Sequence, residues 1–309
     1  MAFLTGIFTK LVGLVVSLAL FFTLPPPCGQ SFTQQSGETL RLQLSVLSDV
    51  HTESYTYHRF RTFAAVLRDI ARAQTPSDAL VLLGDNTMNG QPTEYIMLYS
   101  LLSRYNRAKD LIVAMGNHDM NRGSYTPEDA IARHNLFYQS YTGRANDKPY
   151  YSVELKGYHM IVLGDELPLE DTRATISQAQ LDWLAAEMAL AGASGKPIFV
   201  FCHQPLNHTF PRWGWGGLGE QSEAVRAILT QYENVFFFSG HLHTEPLVLT
   251  YNGNGDGVTY VNLPASTALD SNDGVGFQVE VYDSGVQLRL RNFRTGQWLE
   301  TMYMRIEID

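Results

Sequence analysis

Five times in this chain a short apolar run stops at a cluster of histidine, aspartate or asparagine, and no other feature limits the possible folds as much. Leu40, Leu42, Leu44 and Val46 alternate with Arg41, Gln43 and Ser45, the period of a half-buried strand, and lead to Asp49-Val50-His51. Residues 79–83 lead to Gly84-Asp85, 111–114 to Gly116-Asn117-His118-Asp119, 197–202 to His203, and 235–238 to Gly240-His241-Leu242-His243. Helical patterns lie between them. Phe60, Phe63, Leu67 and Ile70 recur at helical spacing, 93–107 and 220–231 read as helices, and Ser177 with Gln180 reads as a capping box opening a helix to about Ala191. Residues 150–155 and 158–163 around Lys156-Gly157 predict a hairpin. The tail is β: Phe277, Val279 and Val281 alternate, Asp283-Ser284-Gly285 turns, and Val286, Leu288 and Leu290 alternate back. Strands alternating with helices, with no internal repeat, predict one α/β domain over 39–309.

Loops at the carboxyl ends of strands are where α/β sheets assemble ligand sites. Here they bring together imidazoles, carboxylates and an amide, the donors of borderline divalent metals. Asp-x-His and His-x-His would each present two ligands from one strand end, since residues i and i+2 point the same way. Asp85, with two oxygens, suits a bridge between two metals, and Gly84, Gly116 and Gly240 would permit tight turns beside the ligands. Any one motif alone is weak; five in order, each after an apolar strand, predict a dinuclear metal site. Two cysteines exclude a disulfide scaffold and a thiolate cluster, and a net charge of −9 argues against binding nucleic-acid duplexes.

Taken together, Asp49-x-His51, Gly84-Asp85, Gly116-Asn117-His118-Asp119, His203 and Gly240-His241-x-His243 resemble the motif set of the calcineurin-like metallophosphoesterase family, in order over about 44–243. The resemblance implies a four-layer αββα sandwich with two mixed sheets, the β tail belonging to the second. It implies Asp49, His51, Asp85 and His243 on one metal, Asp85, Asn117, His203 and His241 on the other, and His118 as the acid near the leaving group. Met88 stands where purple acid phosphatases supply a tyrosine ligand, and where many relatives carry an acid that orients the catalytic histidine. The Asn89-Gly90 ending is closer to the bacterial cyclic-nucleotide phosphodiesterase-like branch. The expected cofactors are two divalent ions of the Mn, Fe or Zn kind. About 3.5–4 Å apart, they would clamp phosphoryl oxygens and bring a shared water's pKa near neutral, so that hydroxide attacks phosphorus in line. A phosphodiesterase is favoured over a phosphomonoesterase or nucleotide phosphatase. It is favoured also over a phosphate- or metal-binding receptor, which has no need of His118.

Residues 11–24 form an uncharged apolar run after Lys10 and before Pro25-Pro26-Pro27, which predicts a secretory signal or a membrane anchor over 1–30, a polar linker over 31–38 and an extracytoplasmic domain. Lipid anchoring through Cys28 fits poorly with the three prolines before it. Other features carry less. Gly214-x-Gly216-x-x-Gly219 matches a dinucleotide fingerprint but follows no strand, Cys202 reads as a buried inert thiol, and His58, His134 and His159 fit no motif. Asn207-His208-Thr209 is a glycosylation sequon. Residues 208–219 set Phe210, Trp213 and Trp215 among glycines, either a packed surface loop or a wall receiving the organic part of a small phosphoester, with Tyr55 and Tyr57 facing it.

Overall fold

The computed structural model describes residues 37–120, 126–166, 172–249, 257–268 and 270–308, except the side chains of Trp213 and Thr301. The signal or anchor expected over 1–30, and most of the linker, lie outside the described residues. No helix among the described residues is long and apolar enough to cross a membrane.

The chain runs β1 (Leu42–Leu47), α1 (Tyr57–Ile70), β2 (Ala79–Leu83), α2 (Pro92–Tyr105), β3 (Asp110–Ala114) and α3 (Pro127–Thr142). It continues through the hairpin β4 (Tyr151–Leu155) and β5 (Tyr158–Val162), then α4 (Gln178–Gly192), β6 (Ile198–Phe201), α5 (Ser222–Leu229) and β7 (Val235–Ser239). It closes with β8 (Leu247–Leu249), β9 (Val258–Asn262), β10 (Val275–Val281), β11 (Gly285–Asn292) and β12 (Gln297–Glu307). Two mixed six-stranded sheets result, ordered β12-β11-β10-β1-β2-β3 and β4-β5-β6-β7-β9-β8. Between them lies the main core, where Leu44, Val46, Val81 and Ile112 of one sheet meet Phe199, Phe201, Phe236 and Phe238 of the other. On the outer faces, α1, α2 and α3 cover the first sheet through Phe63, Leu67, Leu98 and Tyr138, and α4 and α5 cover the second through Leu184, Met188, Val225 and Leu229. The layers are αββα, as expected.

Several sequence expectations need correction. The tail does not belong to the second sheet: β10 pairs antiparallel with β1, Leu44 opposite Val279, so the tail completes the first. Nor is β1 half-buried, since all six of its residues are buried and its polar side is satisfied internally, Ser45 Oγ donating to Gln278 Oε1 at 2.9 Å. The α4 cap is only half a capping box. Ser177 Oγ accepts from Gln180 N–H, but the Gln180 side chain turns to the Gly164 backbone, and Glu166 takes the Ser177 N–H. The helix expected over 220–231 is α5, preceded by a 3₁₀ turn over Gly219–Gln221. Periodicity gives no sign of α3, because its buried residues include His134 and Asn135. Its ends were nevertheless marked by the Thr126 cap, Pro127 and Gly143 in the left-handed region at φ 78°.

Candidate metal centre

Parallel pairing carries the five motifs to one edge. Beyond the last residues of β1 and β2 the ladder continues, with Asp49 N–H on Gly84 O (3.1 Å) and His51 N–H on Asp85 O (2.8 Å). Gly240 N–H likewise reaches His203 O at 2.9 Å, tying the loops after β6 and β7. The two-residue argument for Asp-x-His and His-x-His does not hold, since these pairs lie past the strands and are not extended. Asp49, His51, Asp85, His241 and His243 all sit in the left-handed region, at φ 54°, 45°, 48°, 67° and 47°. For residues with a β-carbon such a conformation costs about 1–3 kcal/mol each, so five at one site mark a constellation that the surrounding fold must enforce. Gly84 needs its freedom (φ 93°), and a β-carbon there would lie 2.6 Å from His203 Cγ. At Gly240 the requirement is space rather than angle, because a β-carbon would strike the Ser48 hydroxyl.

The donors form two groups that share Asp85: Asp49, His51, Asp85 and His243 in one, and Asp85, His203 and His241 in the other. In the first, His243 Nε2 lies 2.9 Å from Asp49 Oδ1 and 3.1 Å from His51 Nε2. In the second, His203 Nε2 is 3.2 Å from Asp85 Oδ2 and 3.3 Å from His241 Nδ1. An ion with bonds of about 2.0–2.2 Å separates its ligand atoms by about 3–3.5 Å, close to the spacing of these four pairs. Ring nitrogens converging on each other and on carboxylate oxygens fit a cation between them. Buried Asn117 Oδ1 fits one as well, having no hydrogen-bond partner.

Protein contacts aim the donors by occupying their other atoms. His203 Nδ1 donates to Leu83 O at 2.9 Å, which leaves Nε2 bare for the centre. Asp49 Oδ2 accepts from Ser48 Oγ (2.6 Å) and His241 N–H (3.1 Å), leaving Oδ1. Asp85 Oδ1 accepts the His118 N–H at 2.8 Å, so a single oxygen, Oδ2, faces both groups, 3.8 Å from His51 Nε2 and 3.2 Å from that of His203. The bridge expected from two oxygens therefore reduces to one.

His118 lies outside both groups, its ring edge-on to His51 with centroids 4.8 Å apart. The acid missing at position 88 is replaced by a main-chain atom, since His118 Nδ1 lies 2.8 Å from Met88 O. Asp119 is a functional residue that motif reading left without a task. Its buried carboxylate accepts from Gly116, Asn86 and Thr87 N–H, Thr87 Oγ and Asn86 Nδ2, all within 3.1 Å, and so binds the Asp85 loop to the Asn117-His118 loop. Burial, with Asp85 nearby, pushes it up to about 6.

Charge divides the histidines. Burial lowers His51 and His241 to about 4, so both are neutral and ready to coordinate at pH 7. Burial opposes protonation of His203 too, but Asp85 and Asp49 outweigh it and raise the ring to about 9. Burial alone would raise Asp49 and Asp85; His203 above all holds both below the usual carboxylate range. Without metal, then, the His203 proton stabilises the fold below pH 6.5 and is lost as the pH rises through about 9. An incoming ion must displace that proton. Burial opposes a proton on His243 as well, but Asp49 raises that ring too, so metal uptake at pH 7 is expected to release one proton or more per chain, with affinity climbing from about pH 6.5 to 9. Calorimetry in buffers of differing ionisation enthalpy reads the released proton, and uptake independent of pH would contradict the assignment.

The 208–219 loop divides. Phe210 is core, whereas Trp215 is 66% exposed with Arg212 4.8 Å above its ring; the Trp213 side chain is outside the described residues. The next residue, Gly216, lies so close to His241 Nε2 that a β-carbon would collide with it, which sets the loop at the edge of the centre. Tyr55 (96% exposed) and Tyr57 (half-exposed) follow His51 in the chain. Asn207 of the sequon spends its amide on Gly219 O at 2.9 Å, closing the loop. The glycine triplet has no strand leading into it, and burial pushes the Cys202 thiol up to about 12.

A family model described as calcineurin-like phosphoesterase matches residues 43–245. A probable cyclic nucleotide phosphodiesterase of Rhodococcus erythropolis is 32% identical over 70% of this chain, which spans 64% of that protein's length. A 3',5'-cyclic-nucleotide phosphodiesterase of a Nostoc species is 21% identical over 84% of this chain and 91% of its own. A dimetal phosphatase from Danio rerio shares the fold with a TM-score of 0.63 and 16% identity, over 88% of this chain and all of its own. A yellow lupin purple acid phosphatase does so with a TM-score of 0.65 and 14% identity, over 92% of this chain and 55% of its own.

Proposed function

The chain belongs to the calcineurin-like phosphoesterase family and is a phosphoester hydrolase, and from that premise we propose that it is an extracytoplasmic phosphodiesterase whose substrate is a diester of the cyclic-nucleotide kind. The observation that carries the reading is the arrangement itself: two donor groups meeting at Asp85 Oδ2, with His118 beside them and outside both. Asp49, His51, Asp85 and His243 would hold one divalent ion and Asp85, Asn117, His203 and His241 the other, of the Mn, Fe or Zn kind. Such ions supply Lewis-acid charge to phosphoryl oxygens and acidify water at the site. Asp49 and Asp85 bring two negative charges against the four positive ones that two divalent ions would supply, so a loaded centre would stay cationic and could hold a phosphodiester despite the chain's net charge of −9. His118 gives its Nδ1–H to Met88 O, so in its protonated form it would still carry a proton on Nε2 to pass to the departing ribose oxygen. The diester preference draws on the two bacterial relatives' names, and the location on the apolar run at 11–24. A panel of 3',5'-cyclic nucleotides, acyclic diesters and monoesters tests the substrate class; a monoester turned over best would overturn the diester reading.

Trp215 supplies an aromatic face at the mouth. Trp215→Ala is expected to raise KM for a cyclic nucleotide about 2- to 10-fold, the value of one stacked ring, while KM for a dimethyl phosphate ester and the melting temperature stay put. Equal rises for both substrates would mean that the ring is packing, not recognition.

A further inference from the structure

We propose that Arg59 is the positioning residue for His118, acting through Met88. The inference rests on the reading of His118 as proton donor. Among the described residues, the partner of the His118 Nδ1 atom is the Met88 carbonyl at 2.8 Å, so the direction of the ring depends on the main chain of a loop rather than on a carboxylate side chain. That loop is held from below: Met88 N–H reaches Thr52 O at 3.1 Å, and Thr52 pairs with Thr87 in a parallel bridge. From the side it is held by Arg59, in the first turn of α1. The guanidinium places Nη1 3.1 Å from Met88 Sδ, 3.5 Å from His51 O and 3.4 Å from Glu53 Oε1. One rigid planar group thus spans the segment carrying His51 and the segment carrying the acceptor of His118.

A thioether is a weak acceptor, so the contact gives little as a hydrogen bond. Its effect is restraint. Methionine turns about three side-chain bonds, and with its sulfur pinned the residue has little freedom to swing its carbonyl away from Nδ1. A carbonyl acceptor sets the proton on Nδ1 without adding a negative charge, and keeps Nε2 for the substrate. Arg59 is mostly buried, with its side chain 19% exposed and Nε enclosed without a partner, so its place is fixed by the loops it joins.

The test uses the full chain loaded with metal, Arg59→Met and Arg59→Lys, His118→Ala, and the double variant Arg59→Met with His118→Ala. Two esters are compared, one with a ribose-type alkoxide leaving group and one releasing nitrophenolate. Arg59→Met is expected to keep two metals and an unchanged KM, and to lose about tenfold in kcat on the alkoxide ester against about twofold or less on the nitrophenyl ester. Arg59→Lys, which keeps charge but not the planar fork, should fall between. In the His118→Ala background, Arg59→Met should add nothing. Equal loss on both esters, a change confined to KM, loss of metal, or additive loss in the double variant would each overturn the proposal. If His118→Ala itself shows no leaving-group dependence, the proton-donor reading fails and the proposal with it. If only Arg59→Met lacks that dependence, the positioning role alone falls.

Discussion

Asp85→Asn is expected to lower turnover by about 10³-fold or more. Oδ2 of Asp85 is the one atom shared by the two donor groups, and it is also the nearest counter-charge to His203, at 3.2 Å. An asparagine in the same pose keeps an acceptor for the His118 N–H on one side. On the other it turns an amide N–H₂ toward imidazoles, or swaps the two and loses the His118 contact. Either way the negative charge that the two ions would share is gone. Losing several kcal/mol of transition-state charge stabilisation corresponds to three or more powers of ten in rate. Elemental analysis should find fewer than two ions per chain beside the fall in kcat. Two ions with wild-type turnover would remove Asp85 from its bridging place.

His118→Ala is expected to cut kcat about 10²- to 10⁴-fold on esters with alkoxide leaving groups, while both ions stay bound. The ring is a member of neither donor group and touches the first only edge-on at His51; its backbone N–H on Asp85 survives the substitution, and its Nδ1 is held by Met88 O. Alkoxides leave poorly without a proton and nitrophenolate leaves readily, so the loss on a nitrophenyl ester should be much smaller. Equal losses would mean that His118 stabilises charge on the equatorial oxygens. Lost metal would make it a support of the centre, and unchanged rates would favour a receptor.

What could be read from the chain beforehand follows a physical line. Apolar strands that stop at polar motifs are local and periodic, so the sequence alone places the residues ending β1, β2, β3, β6 and β7 at one edge. What failed was geometry that periodicity does not encode. The donors converge because Asp49, His51, Asp85, His241 and His243 adopt left-handed backbone angles held by neighbouring loops, not because alternate residues of a strand share a face. The β tail alternates in the same way whichever sheet it joins, and its place beside β1 is a long-range pairing. The acceptor for His118 is a carbonyl, which every residue carries, so Met88 reads in the sequence only as a missing acid. Asp119 and Arg59 act on atoms distant in sequence, and α3 carries no clear apolar stripe because its buried residues include His134 and Asn135.

If two ions and the carboxylate they share make the catalyst, activity must follow the metal content of the protein. Protein freed of metal by chelation should be inactive. Mn²⁺ or a comparable first-row ion, added back in steps, should restore cyclic-nucleotide hydrolysis in proportion to the second equivalent bound, ending at two ions per chain. Mg²⁺, which suits oxygen rather than imidazole donors, should restore little. Full activity in stripped protein, with one ion per chain, or in Mg²⁺ alone would rule out an imidazole-rich two-ion centre as the catalyst.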